Sequence, residues 1–314
     1  MPPPILQTHS MTAMSDYIGR FAPSPTGPLH FGSLLSALAS YLDARAHHGR
    51  WLLRIEDIDP PREQPGATAA IVAALRAHGL QWDGEILYQS QRGAAYREAL
   101  DRLHAAGLLF YCTCSRAELA GHTVYPGTCR ARQEPPTAPY AVRVRVTAAT
   151  VGFDDRVQGH YQQRLVDEVG DFVIFRKEGL PSYQLAVVVD DAAQGVTQVV
   201  RGSDLLDSTP RQLYLQQNLR LPTPDYTHIP VIANSAGPKL SKHTFAAPLD
   251  EYRAADNLLT ALAFLEQPLP PADNCTTVAG VLDWAIAHWR VDSIPRGLSR
   301  SGAALPERCR AFAS

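Results

Sequence analysis

Residues 17–34, YIGRFAPSPTGPLHFGSL, constrain the fold of this chain more than any other stretch. A short apolar run (Tyr17, Ile18, Phe21) breaks on Pro23, Pro25, Gly27 and Pro28, and His30, Gly32 and Ser33 follow where a long apolar-periodic segment begins. The pattern predicts a strand, a tight loop and a helix N-terminus. Such a helix start presents free backbone N–H groups at the positive end of the helix dipole, where polyphosphate prefers to sit. Gly32 lets a phosphate approach the backbone, and His30 offers a donor that can follow charge between oxygens. The stretch therefore predicts a nucleotide site. A plain proline-rich loop, with Ser33 capping the helix and His30 on the surface, would read the same way, so the rest of the chain decides.

Over 32–45, Leu34, Leu35, Leu38, Tyr41 and Leu42 share one helical face, which predicts a buried helix. Residues 51–55 read as a short buried strand with Glu56, Asp57 and Asp59 at its carboxyl end, the place where open α/β sheets bind ligands. Glu56, directly after the strand, is the candidate to hold a substrate ammonium. Asp57 and Asp59 read equally well as a solvated turn before Pro60. Helices are predicted over 68–78 and 92–106, ending near Gly79 and Gly107, and the short apolar run 108–111 leads to Cys112.

Three of the five cysteines, Cys112, Cys114 and Cys129, fall within one short segment that also holds His122 and Tyr125. Two thiolates flanking a turn and a third after a loop suit tetrahedral zinc, with His122 or Tyr125 as the fourth ligand. All four positions would be filled by protein, so the expected role is to shape a loop. A Pro-rich linker follows at 133–139. Residues 140–146 alternate valines with Arg143 and Arg145, which reads as a half-exposed strand, and 171–176 as another.

The second half tightens again. Residues 185–189 read as a buried strand closed by Asp190 and Asp191, residues 196–200 as a second ending at Arg201 and Gly202, and 209–218 as a helix. This alternation predicts a parallel sheet, with Tyr183 and Arg201 near the phosphate loop if both halves form one sheet. One more strand is expected over 226–233, followed by NSAGPKLSKHTF with Lys239 and Lys242. The chain has only three lysines among its 29 basic residues, so two within one Gly-Pro loop suggest mobile point charges that clamp polyphosphate. Helical pattern continues to about 265 and over 278–289, and the end from 296 is expected to be loose.

Charge is nearly balanced, 29 basic against 31 acidic residues, so any RNA contact must come from a local patch. Residues 1–16 lack a basic and apolar signal pattern and are expected to form a disordered leader, and no apolar run approaches the roughly 18 residues of a membrane span. A cytoplasmic protein is expected.

HFGS at 30–33, preceded by RFAPSPTGPLH, together with KLSKH at 239–243, resembles the two ATP motifs of the class I aminoacyl-tRNA synthetases, with Ser33 in place of the second His of the first motif. RIED at 54–57, the AVVVDD stretch and VVRGSDLL resemble the glutamyl branch, and most closely its truncated glutamyl-queuosine paralogues, since only 71 residues (314 minus 243) follow His243. The resemblance implies an α/β, Rossmann-like catalytic core with a parallel sheet, an inserted zinc-containing subdomain, a short C-terminal helical region and no anticodon-binding domain. The implied division is a leader at 1–16, core halves at 17–110 and 171–245, the insertion at 111–170, a helical region at 246–295 and a tail at 296–314.

The resemblance further implies that Arg20, Phe21, Ala22, Pro23, Ser24, Glu56, Tyr183 and Arg201 surround glutamate. His30, Gly32, Ser33, Lys239 and Lys242 would serve ATP, with His30 and Lys242 catalytic. Cys112, Cys114, Tyr125 and Cys129 would hold one structural zinc ion, which favours Tyr125 over His122. Implied partners are ATP with Mg²⁺, L-glutamate and queuosine-containing tRNA(Asp), with the protein a monomer. The alternatives are a conventional glutamyl-tRNA synthetase, a small-molecule nucleotidyltransferase, and a non-catalytic tRNA-binding paralogue, which should have lost His30, Lys242 or Glu56.

Overall fold

The computed structural model describes residues 17–147, 150–233, 248–271 and 276–302. The predicted leader, Lys239, Lys242 and the tail beyond 302 lie outside them. The first half opens with β1 (Ile18–Phe21), α1 (Phe31–Ala46) and β2 (Arg50–Ile55), followed by α2 (Ala67–Ala77), β3 (Leu87–Tyr88) and α3 (Gly93–Ala105). β1 and β2 pair in parallel with Gly19 opposite Trp51, and β3 joins β2 in parallel. The apolar stripe read from the sequence is the reason: Leu34, Leu35, Leu38 and Leu42 are buried against this sheet, and Trp51 sends its indole N–H to Ser40 Oγ at 2.9 Å. The turn from α1 to β2 requires Gly49, because a Cβ there would stand 2.5 Å from the Tyr17 carbonyl oxygen.

The middle of the chain forms β4 (Leu109–Cys112), β5 (Ala141–Val144), a hairpin of β6 (Thr150–Asp155) and β7 (Gly159–Arg164), the short α4 (Leu165–Glu168) and β8 (Val173–Phe175). β4, β5 and β8 make a small antiparallel sheet. All four residues of β5 are buried, which corrects the expectation of a half-exposed strand with arginines in solvent. The Arg143 guanidinium lies 3.9 Å from the centre of the Tyr125 ring and donates to the Asp171 carbonyl at 2.7 Å. Alternation alone cannot distinguish an arginine facing water from one covered by loops from elsewhere in the chain.

The second half comprises α5 (Tyr183–Ala193), β9 (Gln198–Gly202), α6 (Thr209–Leu219), β10 (Asp225–Ile229), β11 (Val231–Ala233), α7 (Ala254–Phe264), α8 (Val278–Ala287) and β12 (Ser299–Ser301). The run 185–189, expected as a strand, is the middle of α5, since a short apolar run carries no period that separates a buried strand from a buried helix. The expected strand over 226–233 divides at Pro230 into β10 and β11, because proline has no N–H for the ladder. β12 pairs in parallel with β11, so this part of the C-terminal end is not loose.

β9 and β10 pair in parallel, and the two halves meet where Thr197 N–H donates to the Ile18 carbonyl and Ile18 N–H to Thr197 Oγ1, both at 2.9 Å. One hydrophobic core spans them, with Leu34, Leu38, Leu53, Val200, Ile229, Leu258 and Leu262 all buried in it. The fold is α/β with a parallel central sheet. Among the described residues no helix is long and apolar enough to cross a membrane.

Candidate active site

The carboxyl ends of β1, β2 and β9 and the start of α1 open into one pocket of about 280 Å³. Arg20, Phe21, Ala22, Pro23 and Ser24 enter it from the end of β1 and the loop behind it, and His30, Gly32 and Ser33 from the start of α1. Glu56, Tyr183 and Arg201 complete the wall. The structure thus brings together every site residue expected from the sequence within the described core, while Lys239 and Lys242 lie outside the described residues. The residues flanking that segment reach the same mouth: Ile232 lines the pocket, Pro248 bridges to His30, and Leu249 N–H donates to the Leu29 carbonyl at 3.0 Å.

His30 caps α1, a part that the plain-loop alternative gave to Ser33. Its backbone is extended, and Nδ1 accepts the Ser33 backbone N–H at 3.2 Å while Nε2 lies 3.1 Å from Ser33 Oγ. The ring folds over Gly32, whose missing Cβ would lie 3.1 Å from ring atoms Nδ1 and Cε1. A methyl group here would press on the imidazole that lies across the helix start.

On the opposite wall the charges are buried and matched. Asp191 on α5 accepts from Arg54 Nη1 at 2.7 Å and from Arg20 Nε at 3.2 Å, and Arg54 Nη2 lies 3.5 Å from Glu56 Oε1. Two arginines and two carboxylates thus balance. Burial pushes Asp191 upward, but Arg20 and Arg54 outweigh it and hold the group below the ordinary carboxylate range. For Glu56 burial wins over Arg54 and Arg20, and its pKa is pushed up to about 7. A carboxylate desolvated to this degree favours a cationic ligand. Asp190, the neighbouring acid, is turned away and accepts from Tyr96 OH at 2.6 Å, Gln89 Nε2 at 2.9 Å and Arg92 Nε at 3.0 Å.

Arg201 is 5% exposed and donates through Nη1 to Tyr183 OH at 3.3 Å. Behind it, Nε donates to His228 Nε2 at 3.0 Å, and Nη2 to Thr209 Oγ1 at 2.8 Å and Gln212 Oε1 at 2.9 Å. Asp155, Asp191, Thr209, Gln212 and His228 were not singled out from the sequence as site residues. Their partners lie far away along the chain, and only the clustering of polar residues among buried apolar ones hinted at them.

The three cysteines converge as expected. The Sγ atoms of Cys112, Cys114 and Cys129 lie within 4.8 Å of one another, and those of Cys114 and Cys129 are 3.6 Å apart. Tetrahedral Zn–S bonds of about 2.3 Å place sulfurs about 3.8 Å apart, so the group has the dimensions to hold a metal ion. Tyr125 OH lies 3.5 Å from Cys112 Sγ and 3.9 Å from Cys114 Sγ, and accepts the Cys129 backbone N–H at 2.8 Å. Burial works against ionising Cys129, but hydrogen bonds from the Thr113 backbone, Tyr125 and the other thiols bring it down to about 6. That environment favours ionisation within the cluster. His122 is not part of the group.

The model of the catalytic domain of class I tRNA synthetases (E and Q) matches residues 18–265. The chain belongs to this family. Its curated relatives include the glutamyl-Q tRNA(Asp) synthetase of Pseudomonas fluorescens, 56% identical over 291 residues that cover 91% of this chain and 96% of the relative. The protein of the same name from Neisseria meningitidis serogroup B is 51% identical over 290 residues, 89% of this chain and 98% of the relative. A glutamate tRNA ligase from Elizabethkingia meningosepticum, solved in complex with its amino acid, superposes with a TM-score of 0.78 at 24% identity, covering 95% of this chain and 68% of that one. This likeness shows that the synthetase fold described above is shared.

Proposed function

We propose that this class I synthetase activates L-glutamate with ATP and transfers the glutamyl group to queuosine in tRNA(Asp). The observation that carries the reading is the convergence of Glu56, Arg20 and Arg201 on one pocket beside the His30 helix start, in a chain whose relatives over about nine-tenths of its length bear that name. Glu56 would receive the α-ammonium. The arginine forks would receive the carboxylates, a task suited to planar, permanently charged guanidinium groups. Arg20 commits only its Nε to Asp191.

Chemistry then needs two displacements. The α-carboxylate of glutamate attacks the α-phosphorus of ATP, forming the glutamyl-adenylate mixed anhydride and releasing pyrophosphate. A hydroxyl of the queuosine ring next attacks the activated carbonyl carbon, and AMP leaves with the bond electrons. No side-chain nucleophile is required, because holding the reactants in line and stabilising charge supply the rate. His30 and the N–H groups of the α1 start would face the phosphates, and Lys242 would track the departing pyrophosphate. Mg²⁺ accompanying ATP would neutralise triphosphate charge.

Cys112, Cys114 and Cys129, with Tyr125 as fourth ligand, would hold one structural zinc ion that fixes the loop between β4 and β5. The acceptor lies in an anticodon loop, where bases are unpaired and open to side chains, so the balanced overall charge is no obstacle. We place the protein in the cytoplasm, where ATP and tRNA are found.

The test is transfer of labelled glutamate, with ATP, to tRNA(Asp) carrying or lacking queuosine, with tRNA(Glu) in parallel. Label on queuosine-containing tRNA(Asp) alone is expected. Label on tRNA(Glu) would make the enzyme a conventional glutamyl-tRNA synthetase, and no label on any tRNA would remove the proposed transfer.

A further inference from the structure

Arg201 is a buried cation whose direct partners are all neutral. Among the described residues no carboxylate lies within ion-pair distance of it; its contacts are His228, Tyr183, Thr209, Gln212, the Leu205 carbonyl and the face of the Tyr226 ring, whose centre is 5.3 Å from the guanidinium carbon. A guanidinium so placed bears a desolvation cost that a neutral partner offsets only in part. The nearest anion in the network, Asp155, is one imidazole further back: His228 Nδ1 lies 2.6 Å from Asp155 Oδ2.

The hydrogen-bond directions along this path are forced. Arg201 Nε can only donate, so His228 Nε2 must present its lone pair and the ring proton must sit on Nδ1. Asp155 can accept it because its carboxylate is pinned as an acceptor by the backbone N–H groups of Val157 at 3.0 Å, Gln158 at 2.8 Å and His228 at 3.0 Å. The imidazole itself is walled by the parallel ring of Tyr226 at 6.1 Å and by Phe153 at 6.0 Å. Burial, against the opposing Asp155 bond, lowers His228 to about 4, so the ring is neutral at physiological pH. Arg201 and His228 are register partners on β9 and β10, which fixes their spacing through the sheet. Gln212 is oriented in turn by donating Nε2 to Gln184 Oε1 at 2.9 Å, leaving its own Oε1 for Arg201.

We infer that Asp155 and His228 are a positioning pair that locks the Arg201 guanidinium at the pocket wall, with one Nη1 hydrogen uncommitted and no anion paired to its charge, and thereby makes the site select a ligand side-chain carboxylate over a carboxamide. A direct Asp–Arg contact would also have held the arginine, but it would have satisfied the cation. Interposing a neutral imidazole separates orientation from neutralisation, so the ligand becomes the counter-ion. None of Asp155, His228, Thr209 and Gln212 lines the pocket, so they act through Arg201. The selection of glutamate over glutamine rests on the proposed function; the tautomer and the orientation of Arg201 do not.

The experiment has two arms. In the first, ¹⁵N-histidine NMR of the full chain, with the His228→Asn variant used for assignment, reads the ring proton of His228. A proton on Nδ1 is expected, and one on Nε2 would overturn the proposal whether or not any variant folds. In the second, amino-acid-dependent ATP–pyrophosphate exchange is compared for glutamate and glutamine. Asp155→Asn places an amide donor against Nδ1, forces the other tautomer and turns donor against donor at Arg201. With the melting temperature measured alongside, this variant and His228→Asn should raise KM for glutamate by about 10- to 100-fold, the range for a lost bond to a charged group, and reduce discrimination against glutamine, with kcat less affected. His228→Gln, which retains an acceptor toward Arg201 Nε, should recover much of the loss. Unchanged KM and unchanged selection in folded variants would overturn the proposal. Absence of glutamate-dependent exchange in the unmodified protein would instead remove the proposed function and leave the NMR arm to judge the pair.

Discussion

Arg54 Nη1 on β2 donates to the Asp191 carboxylate on α5 at 2.7 Å, across 137 residues of sequence. Because Asp191 also takes Arg20 Nε, one side chain of the second half holds the two arginines that frame Glu56 in the first. This charged wall of the pocket therefore exists only when both halves are docked.

Replacing Asp191 with Asn should leave two buried guanidinium groups short of their shared anion. Removing one partner of a buried pair costs about 3–5 kcal/mol, so Asp191→Asn should lower the denaturant midpoint and weaken glutamate binding together. Chemical unfolding monitored by circular dichroism, with glutamate titrations on the folded variant, measures both; an unchanged midpoint would show that the pair contributes little.

Glu56 provides a pH signature. Its native pKa of about 7 lies above the ordinary carboxylate value of 4.5, so the native state holds a proton that the unfolded chain has lost between those limits. Stability contributed at this position falls as pH rises through that window. A bound ammonium reverses the preference, since it requires the carboxylate. KM for glutamate should fall between pH 6 and pH 8 in the unmodified protein. Glu56→Gln should remove that dependence and, without ligand, gain in relative melting temperature as pH rises from 5 toward 7.5. A parallel pH profile in the two proteins would refute the assignment.

The thiol group should carry metal. Elemental analysis of protein purified without chelator should find one zinc per chain. Cys114→Ser should lose it, and Tyr125→Phe should retain it less tightly during chelator challenge. Metal-free protein with full stability would rule out the structural role.

Gly32 offers a test that separates site from fold. Alanine favours a helix over glycine by about 0.5–1 kcal/mol, which offsets a loss of similar size from the displaced His30 cap, so Gly32→Ala should leave the melting temperature nearly unchanged. Its methyl group would meet the His30 ring at 3.1 Å and displace it. A raised KM for ATP at unchanged stability is expected, and an unaltered KM would place His30 away from the nucleotide.

The half of the pocket at the start of α1 could be read from the chain because it is local. His30, Gly32 and Ser33 lie within one turn of α1, and Glu56 follows its strand directly. Local order also exposed the three cysteines, which approach one another through a single loop. Readings failed where packing overrides a short pattern: residues 185–189 are helical within α5, and Arg143 lies against Tyr125 where an exposed face was expected. The hairpin of β6 and β7, which supplies Asp155, was not anticipated, and the residues that aim Arg201 were missed with it.

What the sequence determined by itself was the order of β1, α1 and β2 at the pocket and the residue types that enter it, since backbone period, turn chemistry and motif spacing act over a few residues. The direction in which the charged groups point was decided only by the tertiary structure. Asp191 reaches Arg54 across 137 positions and Asp155 reaches His228 across 73, and a hydrogen bond depends on distance and angle in space, which chain separation does not encode.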